Sequence, residues 1–321
     1  MVAVVILNYN NADDTIGCIK SVEKFNTYRI KFVIVDNGST DDSVIRIKNY
    51  ISGREDNIIY EFYKAGEKLN EPAPYISFIE SSVNGGYAIG NNIALEFIET
   101  DTEVTKILIL NNDVLFVDDI IPGLCCFLDN HPDAAIVSPA LLRRDGIEID
   151  YNCARKNCST AELFAIYTFQ IGPFWKIIGS MAEKRWMIKN NPDLLNEEFF
   201  EIELPSGSCM LINKEDFRQI GYFDPSTFLY YEENILFKKI SRISKKNYII
   251  PFLKCIHLGG STTKKTRFTE FQQIQINSSA YIYARCYSGM NRICLGALSI
   301  LYKLCFLRIR FIHFIKRIIR R

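Results

Sequence analysis

The sequence has few histidines and no paired cysteines of the kind that hold structural metal ions. Three of its 321 residues are His, and its ten Cys residues include no Cys-x-x-Cys pair. Cys125 and Cys126 are adjacent, and the others are scattered among apolar residues. We therefore expect neither a disulfide framework nor a structural zinc site, and we predict reduced core thiols in a cytosolic protein.

Long apolar runs and nucleotide-cofactor fingerprints are also missing. No stretch of 18 uncharged apolar residues occurs, and the nearest, at 293–302, ends at Lys303 and is too short to span a bilayer. The chain opens directly on an apolar run at 2–7, without the basic segment of a signal peptide. No Gly-x-Gly-x-x-Gly motif is present, so a dinucleotide-binding enzyme has no support.

The charge is divided unevenly along the chain. The net charge is +1, but residues 1–240 carry 22 basic against 36 acidic residues. Residues 241–321 carry 16 basic residues and a single acid, Glu270. Such a basic end predicts contact with an anionic partner, either nucleic acid or a membrane surface.

The last 25 residues favour the membrane over nucleic acid. On a helical wheel, one sector holds Lys303, Arg310, Arg317 and Arg321, extended by His313, Lys316 and Arg320. The opposite half holds Leu304, Leu307, Phe311, Ile312, Phe314, Ile315, Ile318 and Ile319. A basic amphipathic helix of this kind lies in the interface of an anionic membrane, and nucleic acid would leave its apolar half unused. Packing of this helix on the rest of the protein remains the alternative.

The first half of the chain alternates between strand and helix patterns. Continuous apolar runs at 2–7, 32–35 and 107–110 are typical of strands buried on both faces. The periodicity predicts helices at 13–25, 41–52, 87–98, 118–129, 214–220 and 232–243. This pattern indicates an α/β fold with a mostly parallel sheet flanked by helices. Residues 151–204 are less regular and are predicted to form a helical insertion or lid.

Polar residues follow three of the predicted strands. They are Asn8-Tyr9-Asn10, Asp36-Asn37-Gly38-Ser39 and Asn111-Asn112-Asp113. Turn formation would explain any one of these segments alone. Three together favour a ligand site, because ligands of such sheets bind at the carboxyl ends of the strands. Asp36 could accept hydrogen bonds from a ribose or a base, and Asp113 could bind Mg²⁺ or Mn²⁺.

Seven short motifs, in this order, resemble those of inverting glycosyltransferases of family 2, which have the GT-A fold. They are Ile6-Leu7-Asn8-Tyr9-Asn10, Val35-Asp36-Asn37-Gly38-Ser39-Thr40-Asp41-Asp42-Ser43, Asn84-Gly85-Gly86-Tyr87-Ala88, Leu110-Asn111-Asn112-Asp113, Ser206-Gly207-Ser208-Cys209-Met210, Gly221-Tyr222-Phe223-Asp224 and Phe228-Leu229-Tyr230-Tyr231-Glu232-Glu233. The resemblance covers roughly residues 1–265 and is strongest to the rhamnosyltransferase-type branch. It implies a Rossmann-like GT-A domain over 1–270, followed by a helical, membrane-associating segment over 271–321.

The resemblance implies a nucleotide-sugar donor bound at the strand ends. Asn8, Tyr9 and Asp36 would hold the nucleoside, and Asn112 would join them. Asn84, Gly85 and Gly86 would lie beside the nucleotide and sugar, where glycines let the backbone approach and a helix N-terminus favours phosphate.

A divalent cation, Mg²⁺ or Mn²⁺, is implied as well. Asp113 matches the last acid of the family's metal motif, and His257, before a Gly-Gly turn, matches a late histidine near the metal or diphosphate. A hydrogen-bonded core histidine is the alternative for His257. Asn111 stands where relatives with the full motif carry an acid. Lys264, Lys265 and Arg267 could neutralise the diphosphate or form a solvated face.

Glu232 and Glu233 match the family's acidic pair, whose second member is the general base. Glu233 would remove the proton of the acceptor hydroxyl, with Glu232 as the fallback. An acidic first turn favoured by the helix dipole is the simpler explanation. The family often has an Asp two residues further on, where this chain has Ile235.

These features predict an inverting transferase at the cytoplasmic face of the cell membrane. It would move a sugar from a UDP- or dTDP-sugar to a hydroxyl of a lipid-linked or oligosaccharide acceptor in surface polysaccharide biosynthesis. The alternative is a non-catalytic subunit that binds nucleotide sugar or acts as a scaffold in polysaccharide assembly, motivated by Asn111 and Ile235.

Overall fold

The computed structural model describes residues 1–69, 72–171, 181–259 and 269–319. The strands in these ranges are β1 (Val2–Asn8), β2 (Ile30–Asn37), β3 (Tyr60–Lys64), β4 (Ile76–Ser81), β5 (Lys106–Asn111), β6 (Val114–Phe116), β7 (Ala134–Leu142), β8 (Ala154–Arg155), β9 (Phe200–Ile202), β10 (Leu204–Pro205), β11 (Cys209–Asn213) and β12 (Lys246–His257). The helices are α1 (Ala12–Phe25), α2 (Ser43–Ser52), α3 (Gly86–Phe97), α4 (Ile121–Asn130), α5 (Thr160–Ile171), α6 (Met187–Asn190), α7 (Lys214–Gln219), α8 (Glu232–Arg242), α9 (Glu270–Tyr287) and α10 (Arg292–Ile319).

The N-terminal half forms a parallel sheet in the order β3-β4-β2-β1-β5. Strand β1 pairs with β2 so that Asn8 lies opposite Asp36, and with β5 so that Leu7 lies opposite Asn111. The three strand ends therefore meet at one edge of the sheet. The predicted α/β fold with a mostly parallel sheet flanked by helices is confirmed.

The C-terminal half of the sheet is mixed, and the sequence indicates its strands less clearly than those of the first half. Strand β11 runs antiparallel to both β5 and β7, while β12 runs parallel to β7 and antiparallel to β6 and β9. Strand β7 contains Pro139, and the pairing of β12 with β7 shifts register between Ile250 and Lys254. Such interruptions weaken the local signal of a strand, because proline and bulges are uncommon inside sheets.

Helices cover both faces of the sheet. In β1, Val2, Val4 and Ile6 pack in the cluster shared with α1, α2 and α4, whereas Ala3 and Val5 pack towards α3 and α8. This alternation follows from the two-residue period of a strand, and it explains the unbroken apolar run. All ten cysteines are free, and most of them are buried.

Residues 151–204 combine helix α5 with the short strands β8 and β9. The described part of this stretch also contains helix α6, and the predicted helical insertion or lid over 151–204 stays a prediction. Trp175 lies outside the described residues. The division into a domain over 1–270 and a segment over 271–321 stays a prediction.

The C-terminal helices form a third layer. Helix α10 packs on α5 and α9 through Leu298, Cys305 and Ile309, all at most 3% exposed. Its other side carries exposed apolar residues spaced three or four apart, here called the apolar stripe: Ile300, Leu304, Leu307, Phe311, Phe314 and Ile318. Arg320 and Arg321 lie outside the described residues. Within the described ranges, no helix combines the length and the apolar character needed to cross a bilayer.

A close backbone contact joins the start of α3 to the loop before α8. The amide of Tyr87 donates to the carbonyl of Phe228 at 2.9 Å. Gly86 has a φ of +78°, and a Cβ atom there would lie 2.1 Å from the same carbonyl oxygen. Only glycine therefore fits this position without moving one of the two segments.

Replacing Gly86 with Ala should destabilise the protein more than the same change at Gly221. Gly221→Ala imposes only the backbone strain of its φ of +70°, because no described atom lies within 4 Å of the added Cβ. That strain costs about 1–2 kcal/mol. Gly86→Ala adds the collision with Phe228, so its loss in free energy of unfolding, measured with urea, should be larger. Equal losses would contradict the close contact.

Candidate functional site

A cavity of about 620 Å³ opens at the carboxyl ends of β1, β2 and β5. The predicted site residues Tyr9, Asn84, Gly86, Asn112 and Asp113 line it. The opposite wall comes from the loop before α8 and the start of α9. Its residues are Phe228, Leu229, Tyr230, Thr269, Phe271 and Gln272. The cleft therefore brings together segments that lie more than 200 residues apart.

A group of hydrogen-bonded side chains, here called the strand-end network, consists of Asn8, Thr15, Asp36, Ser39 and Asn112. Asn8, Thr15 and Asp36 are buried beneath the cavity, Ser39 and Asn112 are half-buried, and Asn112 reaches the cavity lining. The Asn8 amide donates to Asp36 at 2.7 Å and to the Ser39 hydroxyl at 3.2 Å. Thr15 donates to Asn8 at 2.7 Å and accepts from Asn112 at 3.0 Å. Loss of a hydrogen-bond partner by one of these side chains would lower the free energy of unfolding by about 1–3 kcal/mol.

Asp36, which is predicted to contact the nucleoside, is buried within this network. It is 1% exposed, and its carboxylate accepts bonds from Asn8 and from both the amide and the hydroxyl of Ser39. Asn8 is fully buried as well. In this structure both residues shape the floor of the cleft, while Tyr9, 38% exposed, faces the space above it.

Asn37 holds the glycine-containing loop in place. Its amide donates to the Asn84 side chain and to the Gly86 carbonyl, both at 3.0 Å, and its oxygen accepts from the Gly85 amide at 3.1 Å. Asn84 also accepts from the Gly86 amide at 2.9 Å. The sequence does not predict this role of Asn37, although its place next to Asp36 at a strand end is a usable signal.

Asp113 and His257 meet on one side of the cleft. Their Oδ2 and Nε2 atoms are 3.5 Å apart, and the other ring nitrogen of His257 lies 3.2 Å from Asp150. Burial lowers the pKa of His257, but hydrogen bonds to Asp113 and Asp150 outweigh it and raise the pKa to about 9. Nothing in the sequence around Asp150 marked it as a partner of His257.

This pair fits a divalent cation that replaces the proton shared by His257 with its carboxylate neighbours, because a metal-binding imidazole is neutral. A carboxylate oxygen and an imidazole nitrogen converge beside the cleft, and Asp150 orients the ring as carboxylates commonly orient metal-binding histidines. No cluster of three or more metal-binding side chains occurs in the described part of the chain. Further ligands would therefore come from water and a bound diphosphate, as is usual for Mg²⁺. Lys264, Lys265 and Arg267 lie outside the described residues.

Glu232 and Glu233 open helix α8 in different surroundings. Glu233 Oε1 accepts from the Gly207 amide at 3.2 Å and lies 3.3 Å from the Arg155 guanidinium. Glu232 is 7% exposed, and its Oε1 has no hydrogen-bond partner among the described residues. Burial, followed by the charge of Glu233, raises the pKa of Glu232 to about 8.

The backbone before this helix is strained. Tyr230 and Tyr231 both adopt left-handed conformations, with φ of 73° and 68°. Such residues cost about 1–3 kcal/mol each and tend to occur at functional sites. Neither glutamate lines the cavity itself, but Glu233 lies beside Tyr87, which does. A Cβ atom at Gly207 would lie 3.2 Å from Glu233 Oε1 and 3.0 Å from the Tyr87 hydroxyl.

Glu233 and Asp113 lie on the same side of the molecule. The amide of Gly207 bonds Glu233, and the hydroxyl of the next residue, Ser208, lies 3.3 Å from His257 Nε2. His257 in turn pairs with Asp113. Two consecutive residues thus link the predicted base to the predicted metal ligands.

Comparison with known protein families identifies the family of this chain. Residues 3–221 match the family model described as glycosyl transferase family 2. The chain belongs to this family. The branch within family 2 is not decided by that match.

Two curated proteins are similar in sequence to part of this chain. The low-salt glycan biosynthesis hexosyltransferase of Haloferax volcanii is 26% identical over 233 residues, which are 72% of this chain and 58% of that protein. The teichoic acid poly(glycerol phosphate) polymerase of Staphylococcus epidermidis is 32% identical over 97 residues, 30% of this chain and 11% of the polymerase. This family 2 chain therefore spans less than two thirds of the length of either relative.

Solved structures share the GT-A fold. A mannosyltransferase from Pyrobaculum calidifontis, in complex with GDP-mannose and Mn²⁺, has a TM-score of 0.54 and 14% identity, covering 96% of this chain and 72% of that one. GalNAc-T7, solved with UDP, GalNAc and Mn²⁺, has a TM-score of 0.57 and 12% identity, covering 88% and 47%. At these identities the likeness concerns the fold.

Glu232→Gln should change how the stability of the protein depends on pH. Because the folded-state pKa of about 8 exceeds the ordinary value of 4.5, folded Glu232 keeps a proton that the unfolded chain releases. Stability of the wild type should therefore fall between pH 5 and 8, by up to about 1.4 kcal/mol per pH unit. In urea unfolding, the free energy of unfolding of Glu232→Gln should rise relative to that of the wild type as the pH increases from 5 to 8.

The exposed Glu198 supplies the control for this experiment. Glu198→Gln should follow the wild type at every pH. A stability difference between Glu232→Gln and wild type that stays constant from pH 5 to 8 would contradict the raised pKa of the buried Glu232 carboxyl.

Proposed function

We propose that the protein is an inverting glycosyltransferase that uses a UDP- or dTDP-sugar and a divalent cation. The observation that carries the proposal is the link from Glu233 through Gly207 and Ser208 to His257 and Asp113, which supports one reaction centre at the cleft. Asn84, Gly85 and Gly86 would contact the diphosphate and sugar, and Tyr9 and Asn112 the nucleoside, over the floor shaped by Asn8 and Asp36.

In this mechanism Glu233 accepts the proton of the acceptor hydroxyl. The hydroxyl oxygen forms a bond to the anomeric carbon as the bond from that carbon to the diphosphate breaks, and the electron pair leaves with the diphosphate. Attack opposite the leaving group inverts the anomeric centre. Glu232 is the less suitable base, because its raised pKa keeps it largely protonated at neutral pH. A cation held by Asp113 and His257, Mn²⁺ or Mg²⁺, would supply charge neutralisation for the diphosphate.

The acceptor that we propose is a hydroxyl of a lipid-linked glycan in surface polysaccharide assembly. The names of the two curated relatives refer to glycan and teichoic acid biosynthesis, which supports this class of product. The motifs quoted above further suggest the rhamnosyltransferase-type branch of the family, and hence a hexosyl or deoxyhexosyl donor.

Peripheral attachment to the inner face of the cell membrane is the second part of the proposal. The apolar stripe of α10 is exposed, and the exposed Lys303, Arg310 and Lys316 lie beside it. Residues 271–321 contain no acid. These charges disfavour pairing of two copies along the stripe and favour anionic lipid. The opposite face of α10 packs on α5 and α9, so attachment would not require the helix to detach.

A non-catalytic, nucleotide-sugar-binding or scaffolding role is the alternative. Asn111 and Ile235 occupy positions where relatives carry acids, and the described residues supply only a two-residue metal site. A scaffold would release no nucleoside diphosphate from any UDP- or dTDP-sugar in the presence of Mn²⁺.

Two variants should separate chemistry from binding. Glu233→Gln should lower the rate of nucleoside diphosphate release by about 10³-fold, within the range of lost general-base catalysis, while calorimetry shows Mn²⁺-dependent binding of UDP or dTDP unchanged. Asp113→Ala should weaken that metal-dependent binding, and Asp118→Ala, at an exposed position, should leave both measurements at wild-type values. Full turnover in Glu233→Gln would remove its role as base, and unchanged calorimetry in Asp113→Ala would remove the metal site.

Membrane attachment should depend on the stripe and on charge. In sedimentation with vesicles, the protein should bind anionic lipid and not neutral lipid, and Leu307→Ser/Phe311→Ser should abolish binding. Lys303→Gln/Arg310→Gln should weaken it by about 1 kcal/mol per charge. Ile147→Ser/Phe252→Ser removes exposed apolar residues elsewhere and should bind normally. Equal binding by all four proteins, or a concentration-dependent dimer in place of vesicle binding, would refute the proposal.

A further inference from the structure

A small two-stranded sheet, formed by β8 and β10, lies beside helix α8. Arg155 of β8 pairs with Leu204 of β10, and a second bridge joins Arg155 to Trp186. Strand β10 ends at Pro205, two residues before Gly207. The backbone of Arg155 is therefore held from both sides, in the same sheet that leads into the Gly207 turn.

Arg155 and Gly207 converge on one atom of Glu233. The Gly207 amide lies 3.2 Å and the Arg155 Nη2 atom 3.3 Å from Glu233 Oε1. A Cβ atom at position 207 would lie 3.2 Å from the same oxygen, tighter than most such contacts. Glycine thus lets the backbone come close enough to donate. Arg155 lies in the small sheet and Gly207 in the turn that follows it, while Glu233 opens a helix.

Among the described residues, the Arg155 guanidinium pairs with Glu233 alone. In the described ranges Glu233 is the only acid within ion-pair distance of it, and its Nε atom is buried without a hydrogen-bond partner. Arginine stays protonated over the whole physiological range. Its position is therefore best explained by the charge it brings to Glu233.

The other neighbours of Glu233 bring no positive charge. Glu232, on the same helix, has a buried carboxyl, and the partly buried hydroxyl of Tyr87, from α3, donates to the Gly207 carbonyl. In the described ranges Arg155 is therefore the one cation that pairs with Glu233.

We propose that Arg155 is a positioning residue that, together with the Gly207 amide, holds the Glu233 carboxylate in one orientation and supplies its countercharge. This inference rests on the proposed function, in which Glu233 is the general base. Arg155 acts through Glu233 and need not touch the donor or the acceptor.

Kinetics of Arg155→Met and Arg155→Lys test this role. Arg155→Met should lower kcat for nucleoside diphosphate release by about 10²-fold, as expected for a displaced catalytic group, with the donor KM unchanged. The acidic limb of its pH–kcat profile should move to higher pH, because the countercharge is gone. Arg155→Lys should restore most of kcat and the wild-type profile, and Lys156→Met, which removes the exposed neighbouring charge, should match the wild type.

Several results would overturn the positioning role. They are an unchanged kcat and pH profile in Arg155→Met, a loss expressed only in the donor KM, or equal losses in the Met and Lys variants. A double-mutant cycle of Arg155→Met with Glu233→Gln in urea unfolding needs no substrate. It should show coupling that the cycle of Lys156→Met with Glu233→Gln lacks, and absence of coupling would also overturn the proposal. A wild type inactive on every donor, with coupling intact, would refute the proposed function and reduce the pair to a structural contact.

Discussion

The hydrogen bonds between Asn8, Asp36 and Thr15 are the constraint on which the cleft depends. They cross from the end of β1 to the end of β2 and to the first turn of α1, and Asn112 extends them to the end of β5. Parallel pairing places these strand ends side by side, but pairing alone does not fix the loops that follow. The buried side chains do so, because each would lose a hydrogen bond that compensates it for leaving water if its neighbour moved. The floor of the cleft is therefore preformed and does not depend on a bound ligand for its shape.

The glutamate pair shows how environment divides two chemically equal groups. Glu232 is buried and keeps its proton to about pH 8, whereas Glu233 meets a backbone amide and an arginine. The left-handed Tyr230 and Tyr231 lead the chain into α8 at this point. The packing of surrounding side chains offsets their backbone strain. Tyr231 packs on Tyr283 of α9, with ring centroids 5.7 Å apart, which contributes to that packing.

The parts of the site that follow directly from strands or open a helix could be predicted from sequence. The apolar runs at 2–7, 32–35 and 107–110 placed Asn8, Asp36 and Asp113 correctly at one sheet edge, since parallel strands end together. Arg155 and Asp150 could not be found this way. Their partners lie 78 and 107 positions away in the chain, and no local periodicity indicates the pairing of β8 with β10 or the turn that orients Asp150. The burial depth of Asp36 was equally invisible, because it depends on Ser39 folding back over it.

Tyr87 touches both functional walls of the cleft. Its amide bonds the Phe228 carbonyl ahead of α8, and its hydroxyl donates to the Gly207 carbonyl at 2.7 Å. The segment beside the glycine-containing loop is therefore mechanically tied to the turn that supports Glu233. Under the proposed function, a change of donor preference through this loop would carry a cost in turnover, because a shift large enough to admit a different sugar would be transmitted to the opposite wall. Specificity and rate would have to change together in this protein, with compensating substitutions near Phe228 and Gly207.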